Sequence, residues 1–321
     1  MIQSSNNEAA LHAGRMSGYE EAEAYRRSFI DSSTGRIREE LVEKRDCPVC
    51  ASGHKETLFE KDGGTYHRCH SCHLIYLDPV LTDSCLAEYY RGNNEVQAES
   101  HEREDDFYRA IYNHGLDLVS RWCPGGKLLD VGCSSGAFLE LATSAGFDAE
   151  GLELNATEAA IARSRGFCVH EAELRELPAE AKFDVICLWD VFEHIKDGKS
   201  FLAQARRFLQ GSQIVFMQIP SADSLSARVM RERCNMFDGI EHVNLYSHEN
   251  IQTCLDASGY EIVDTVDVID DSGALTNYLN YEDPYEGSFS RTGLEVFGPE
   301  FILTEGFGYK MQIVARLKEH G

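Results

Sequence analysis

The run Lys127-Leu-Leu-Asp-Val-Gly-Cys-Ser-Ser-Gly-Ala-Phe-Leu139, followed by Gly151-Leu-Glu-Leu-Asn155, constrains this chain more than any other stretch, because it reads as strand, glycine turn, helix, strand and acid. Leu128 and Leu129 form a short apolar run fit for a buried parallel strand, and Gly132 and Gly136 allow a sharp backbone turn beneath a ligand. Phe138, Leu141, Ala142 and Ala145 fall at helical spacing, and Gly146 ends the helix. Glu153 closes the second strand, which places its carboxylate beside the turn, where a ribose diol could donate two hydrogen bonds to it. A dinucleotide site wants G-x-G-x-x-G, so that close-packed glycines and a helix N-terminus hold a pyrophosphate. Here the turn is D-V-G-C-S-S-G, with an acid before the first glycine and Ser134 in the middle, which suits a cationic, phosphate-free ligand. The bland alternative is an ordinary β-α-β unit with a tight turn.

These residues resemble the first motif of class I S-adenosylmethionine-dependent methyltransferases, hydrophobic-hydrophobic-D-x-G-C-G-x-G with an acid at the end of the next strand; Ser134 stands where glycine is common. The resemblance covers roughly residues 105 to 265 and the final strand. It implies an α/β fold, a doubly wound seven-stranded Rossmann-like methyltransferase sheet, with S-adenosylmethionine as cofactor. On that likeness Asp130, Gly132 and Gly136 line the methionine and ribose end, with Cys133 in the same turn, and Glu153 takes the ribose hydroxyls. Phe183-Asp-Val-Ile-Cys-Leu-Trp-Asp-Val-Phe-Glu-His-Ile195 is an apolar strand running into a polar edge, as expected at the carboxyl end of a parallel sheet. In the same family the corresponding strand often ends in a Glu-His pair, matched by Glu193 and His194, which implies that Trp189 and Asp190 sit beside the cofactor. Trp189 reads equally well as a core residue, and His194 as a cap of the next helix.

Cys47-Pro-Val-Cys50 and Cys69-His-Ser-Cys72 form two C-x2-C pairs eighteen residues apart, the spacing of a four-thiolate zinc site. Four thiolates complete a tetrahedron and leave no position for water, so the expected Zn2+ is structural. His67, His70 and His73 flank the second pair as substitute ligands or, with four cysteines at hand, as surface groups. Disulfide and redox readings are weaker, because the chain shows no secretory signal and the other seven cysteines show no pairing pattern. The stretch from Leu58 to Tyr90 resembles the zinc-ribbon module that precedes the methyltransferase domain in deoxysugar C-methyltransferases and related glycan and natural-product enzymes. In those relatives the residue after the last cysteine is usually glycine, and here it is His73.

The organisation expected from these signals is an N-terminal tail and helix (1–45), a zinc ribbon (46–80), a helical connector (81–122) and a methyltransferase domain (123–321) with an insertion at 270–307. Within it, residues 1 to 20 lack periodicity, 20 to 45 read as helical, and the sheet strands fall near 127–131, 149–154, 167–170, 183–189, 213–219, 261–268 and 311–317. Gly146, Gly166 and Gly211 mark helix ends, Ser247 caps the helix that Gly259 ends, and the insertion is rich in Tyr278, Tyr281, Tyr285, Phe289 and Phe297. At 321 residues with 43% hydrophobic content the chain can fill one doubly wound core plus a small metal-supported module. No apolar run approaches a membrane span and the first forty residues do not read as a signal peptide, so a cytoplasmic enzyme with no membrane partner is expected. A net charge of −24 without a Lys/Arg cluster argues against a nucleic-acid partner; an oligomer is compatible with the sequence.

Methyl transfer requires an aligned acceptor and removal of its proton. The candidate base is His242 in Gly239-Ile-Glu-His-Val-Asn-Leu-Tyr-Ser247, with Glu241 to orient a ring or a substrate hydroxyl and His194 as a further catalytic candidate. The sugar C-methyltransferases carry a Tyr-x-Glu-His run here; Glu241 and His242 match its last two residues, and Gly239 takes the tyrosine's place. His242 also reads as a helix-entry hydrogen bonder. The implied function is methyl transfer to a small-molecule or carrier-linked acceptor such as a sugar or nucleotide sugar, with the methylated atom open. The alternative is a non-catalytic cofactor-binding or scaffold protein on the same fold.

Overall fold

The computed structural model describes residues 25–92, 105–287 and 298–318, which divide into two compact units. The first takes the described residues up to 92 together with Pro220–Asn250 and Val266–Met311, and the second takes Asp105–Ile219, Ile251–Thr265 and the chain from Gln312 onward. Expectations for residues 1 to 20 and for Phe289 and Phe297 lie outside the described residues. The strands, in chain order, are β1 (Val42–Glu43), β2 (Lys55–Lys61), β3 (Gly64–Cys69), β4 (Ile75–Leu77), β5 (Val80–Leu81), β6 (Gly126–Val131), β7 (Phe147–Leu152), β8 (Cys168–His170), β9 (Phe183–Trp189), β10 (Leu209–Pro220), β11 (Asn244–Leu245), β12 (Tyr260–Val268) and β13 (Lys310–Leu317).

A seven-stranded sheet has the order β12-β13-β10-β9-β6-β7-β8. The five strands from β10 to β8 are parallel. Past β10, Ser221 N–H donates to the Tyr309 carbonyl just before β13, and Tyr309 N–H donates to Ile269 just after β12. The start of β13 therefore meets the ends of β10 and β12, so β13 runs antiparallel to both and the sheet is mixed. This is the α/β methyltransferase sheet that the motif implied, and its strands fall within a few residues of the expected places. Leu128, Leu129 and Val185 to Leu188 are wholly buried, as strands covered on both faces require. Register sets Val131 opposite both Leu152 and Leu188, so β6, β7 and β9 end level and the residues following them share one sheet edge. The expected helix end at Gly211 shifts: the Gly198–Phe208 helix stops earlier, and β10 starts at Leu209 with a register irregularity before Ile214.

In the first unit, β11, β4, β3 and β2 form a four-stranded antiparallel sheet, and β1 pairs with β5. Phe59, Tyr66 and Phe237 pack edge-on at 4.9 and 5.0 Å in a core that includes Leu77, Met236 and Leu245. Of the helix read over residues 20 to 45, residues 28–45 form only one 3-10 turn, Glu39–Leu41. Asp31 accepts from the N–H and hydroxyl of Ser33, Gly35 turns at φ 70°, and Ile30 bridges back to Ile37. Local turn chemistry there outweighs helix periodicity. Ser247 caps the His248–Ala257 helix as expected, exchanging hydrogen bonds with Asn250. The described parts of the 270–307 segment contain helices at Ser272–Leu279 and Pro299–Thr304.

A charge clamp also sits in the first unit. His248 donates from Nδ1 to Asp223 at 3.0 Å and from Nε2 to Asp267 at 2.8 Å, so the ring is an imidazolium. The Asp223 bond, then the Asp267 bond, push His248 up to about 10, while hydrogen bonds from His248 and Arg228 outweigh the opposing effect of burial and hold Asp223 down at about 2. The raised His248 value adds stability that is complete below its ordinary value near 6.5 and is lost as pH rises through about 10; the lowered Asp223 value adds stability complete above about 3.8 and lost as pH falls through about 2. His248→Ala is expected to lower the melting temperature most at about pH 5 to 6, with the gap from wild type closing as pH approaches about 10. Thermal scans showing a constant gap across that range would contradict the clamp.

Candidate functional site

The turn after β6 is held by carboxylates. Glu153, directly after β7, accepts from Ser134 N at 2.9 Å through Oε2 and from Asn155 N at 2.8 Å through Oε1. Ser134 stands at φ 47°, the left-handed geometry for which glycine is the usual choice, and its hydroxyl donates to Glu158 at 2.7 Å. Gly132, at φ 75°, and Cys133 both donate to the Leu152 carbonyl, and a Cβ on Gly132 would lie 2.8 Å from Val191, so no side chain fits beneath the turn. Gly136 forms the N-cap of the Ala137–Ser144 helix.

Three acids thus crowd one turn. Asp130 is 2% exposed, and burial, then the charge of Glu153, push its carboxyl well above the usual carboxylate range. Burial also raises Glu153, and burial with the charges of Asp130 and Glu153 raises the Cys133 thiol. Asp130 Oδ1 and Glu158 Oε1 are buried without a hydrogen-bond partner among the described residues. Such groups cost about 1 to 3 kcal/mol each when left unmet, so the turn favours a ligand that brings donors and positive charge. A ribose diol and a sulfonium meet that description, and the residues fit S-adenosylmethionine.

At the end of β9, Trp189 is 8% exposed and packs against Phe216, Tyr112 and Phe138 with ring centroids 4.6, 4.7 and 5.0 Å away. The structure places it in an aromatic core cluster. Asp190, at φ 54°, accepts from the Gln218 side chain at 3.1 Å. Gln218 in turn accepts from Gln312 at 3.0 Å, and Gln312 accepts from His114 Nδ1 at 2.7 Å. This buried polar chain behind Asp190 was not anticipated. Its signal was available, since Gln218 interrupts the apolar run 214–219 of β10 and Gln312 is the one amide of β13. Glu193 and His194 follow in a short 3-10 turn, Phe192–His194, with Glu193 1% exposed.

His242 and Glu241 belong to the first unit, and the Asp130 to Asp190 set and His194 belong to the second. His242 Nδ1 donates to the Met236 carbonyl at 2.7 Å, which fixes the neutral tautomer whose basic nitrogen is Nε2. Asp238, a residue not singled out from sequence, accepts through Oδ1 from the N–H groups of Ile240, Glu241 and His242 at 2.8, 2.8 and 3.2 Å. Glu241 accepts from Tyr89 OH at 2.5 Å and lies 3.8 Å from Arg26, an arrangement that anchors the segment; burial, then the charge of Asp238, raise its carboxyl.

Cys47, Cys50, Cys69 and Cys72 converge with all four sulfurs within 4.8 Å of one another. Cys47 to Cys72 and Cys50 to Cys69 are each 3.5 Å, close to the roughly 3.8 Å edge of a tetrahedron with bonds of about 2.3 Å. The two knuckles match: Ala51 N–H donates to Cys47 O and His73 N–H to Cys69 O, with Ala51 at φ 58° and His73 at φ 60°. His73 is thus forced into the conformation that a glycine would adopt freely. His67 is engaged with Thr57 and with the Asp78 carbonyl, away from the ligand set. The donor set fits a tetrahedral zinc.

A family model described as a methyltransferase domain matches residues 96–265, just over half of the chain. An uncharacterised protein of Methanocaldococcus jannaschii is 23% identical over 174 residues, 54% of this chain and 82% of that protein. A ubiquinone biosynthesis O-methyltransferase of Aromatoleum aromaticum is 28% identical over 115 residues, 32% of this chain and 49% of that enzyme, so the match spans about half of this relative's length. Among solved structures, a SAM-dependent methyltransferase from Thermotoga maritima gives a TM-score of 0.48 at 20% identity, covering 68% of this chain and 95% of that one. Magnesium protoporphyrin IX methyltransferase from Synechocystis, solved with bound SAH, gives 0.49 at 14% identity, covering 74% and 100%.

The cysteine geometry makes a direct prediction: Cys69→Ser is expected to lower bound zinc from about one per chain to a small fraction of that, and to open the segment from 46 to 80 to protease while the turn after β6 stays folded. Elemental analysis finding no zinc in the wild type, or a Cys47 to Cys72 disulfide by mass spectrometry, would contradict it.

Proposed function

The chain belongs to the methyltransferase-domain family, and from that premise we propose that it transfers a methyl group from S-adenosylmethionine to a small-molecule or carrier-linked acceptor, a sugar or nucleotide sugar. The observation that carries the cofactor assignment is the crowding of Asp130, Glu153 and Glu158 at one glycine turn, with Asp130 Oδ1 buried and unmet. A pyrophosphate would be repelled there, whereas a ribose diol and a cation relieve the crowding. S-adenosylmethionine, when bound, supplies a methyl activated by its sulfonium.

The chain's own residues would then divide the work. Glu153 would accept from the ribose hydroxyls on lone pairs left beside its two backbone bonds, and Asp130, Gly132, Cys133 and Gly136 would line the methionine and ribose end. Asp190, braced by Gln218 at the end of β9, would hold the cofactor beside that turn. His242 receives the acceptor's proton at Nε2, because Nδ1 is committed to Met236. Asp238 holds its backbone N–H, Glu241 anchors the segment through Tyr89, and His194 is a further catalytic candidate. The match of Glu241 and His242 to the Glu-His pair of the sugar C-methyltransferases, together with the cysteine module, supports the sugar class. The net charge of −24 speaks against a nucleic-acid substrate.

Two variants separate these roles. Glu153→Ala removes a charge-assisted contact of about 1.5 to 3 kcal/mol and is expected to weaken S-adenosylmethionine binding by roughly tenfold or more. Unchanged affinity by calorimetry would remove the assignment. His242→Ala is expected to leave cofactor affinity intact and to cut turnover by about a hundredfold or more with a competent acceptor. Turnover at the wild-type rate would assign proton removal to another group.

A further inference from the structure

The segment from Asp238 to Leu245 contains little regular structure before β11, so its backbone groups must find partners elsewhere. Accounting for them leads to the cysteine module. Tyr66 OH accepts from Asp238 N and Gly239 N and donates to the His242 carbonyl, all at 3.2 Å. Arg45 donates to the Val243 carbonyl at 2.6 Å and to the Asn244 side chain at 2.9 Å, and Leu77 N–H reaches Val243 O at 3.0 Å. Asn244 and Leu245 then pair with Tyr76 and Ile75 as the edge strand of the module's own sheet. Each contributor lies beside a ligand in the chain: Arg45 precedes Cys47, Tyr66 precedes Cys69 on β3, and β4 follows Cys72.

The approach is close enough to exclude side chains. A Cβ on Gly64 would lie 2.1 Å from the Gly239 carbonyl, and one on Gly239, at φ 81°, would lie 2.1 Å from the Lys61 carbonyl. The tip of the β2–β3 hairpin therefore rests on Gly239, which explains why no larger residue stands there. Tyr66 itself is 0% exposed, with its ring locked between Phe59 and Phe237.

We propose that the cysteine module is the support of the proton-accepting segment, with Tyr66 and Arg45 as positioning residues for His242. The proposal rests on the role given to His242 above. Short hairpins of this kind are marginal unless the metal ties their ends. Loss of zinc releases Tyr66, Arg45 and β4 together, and with them the partners of the Asp238 and Gly239 N–H groups, of the His242 and Val243 carbonyls and of residues 244–245, while the turn after β6 has its own hydrogen bonds and does not depend on them.

Hydrogen exchange on the full chain tests this without an acceptor. Amides of residues 238–242 are expected to exchange about tenfold faster or more in zinc-loaded Tyr66→Phe than in zinc-loaded wild type, and faster still after chelation. Amides of residues 132–134 are expected to stay unchanged, as is S-adenosylmethionine affinity. Tyr66→Phe keeps the ring and removes only the hydroxyl, so the protein folds if the metal site is intact, which its zinc content reports. With an acceptor, kcat is expected to fall at unchanged cofactor affinity. Equal exchange at 238–242 in loaded wild type and Tyr66→Phe would overturn the positioning role. The two failures are distinct: His242→Ala turning over at the wild-type rate removes the role of His242, whatever the exchange shows.

Discussion

One carboxylate accepting two backbone N–H groups holds the turn after β6 in shape. Glu153 ties Ser134 on one side and Asn155 on the other, so the end of β7 and the loop after β6 are fixed to the same group. That tie keeps Ser134 in a left-handed conformation it would not choose, and it brings the Ser134 hydroxyl onto Glu158. It also sets the Glu153 charge beside Asp130, which cannot ionise at its ordinary value in that company. The turn is therefore built to be short of positive charge and of donors.

The level ends of β6, β7 and β9 make this possible. Parallel pairing without a register shift among them delivers Asp130, Glu153 and Asp190 to one sheet edge, each from a different strand. Asp190 is then braced from behind by Gln218, Gln312 and His114, a chain of polar groups in an otherwise apolar core. Buried amides of this kind rigidify when every member is satisfied, and here Gln312 also donates to the Ile111 carbonyl. Trp189, wedged among Tyr112, Phe138 and Phe216, contributes packing at the same edge.

The sheet and the turn were legible because their signals are local: apolar runs of strand length, glycines at fixed offsets, and an acid after the second strand. The cysteine cluster was legible for the same reason. What was not legible depends on contacts far apart in the chain. Nothing near Asn244 announces that it joins β4, and nothing near Tyr66 announces that its hydroxyl serves Asp238, Gly239 and His242. The His248 clamp draws its carboxylates from residues 223 and 267. The residues between 28 and 45 misled because helix-like periodicity there yields to an Asp31 turn and an Ile30 to Ile37 bridge. Ser134 and His73 both stand in left-handed positions that glycine adopts freely, the Ser134 hydroxyl bonding Glu158 in compensation, and Gly239 stands where two backbones approach closely.

The central claim is that an acidic, phosphate-excluding turn takes the adenosyl cofactor. Calorimetric titration of the wild-type chain with S-adenosylhomocysteine and, in parallel, with NAD tests it most directly. Saturable binding of about one S-adenosylhomocysteine per chain with no measurable binding of NAD is the result expected from the Asp130, Glu153 and Glu158 arrangement. Absence of S-adenosylhomocysteine binding, or NAD binding of comparable strength, would contradict it.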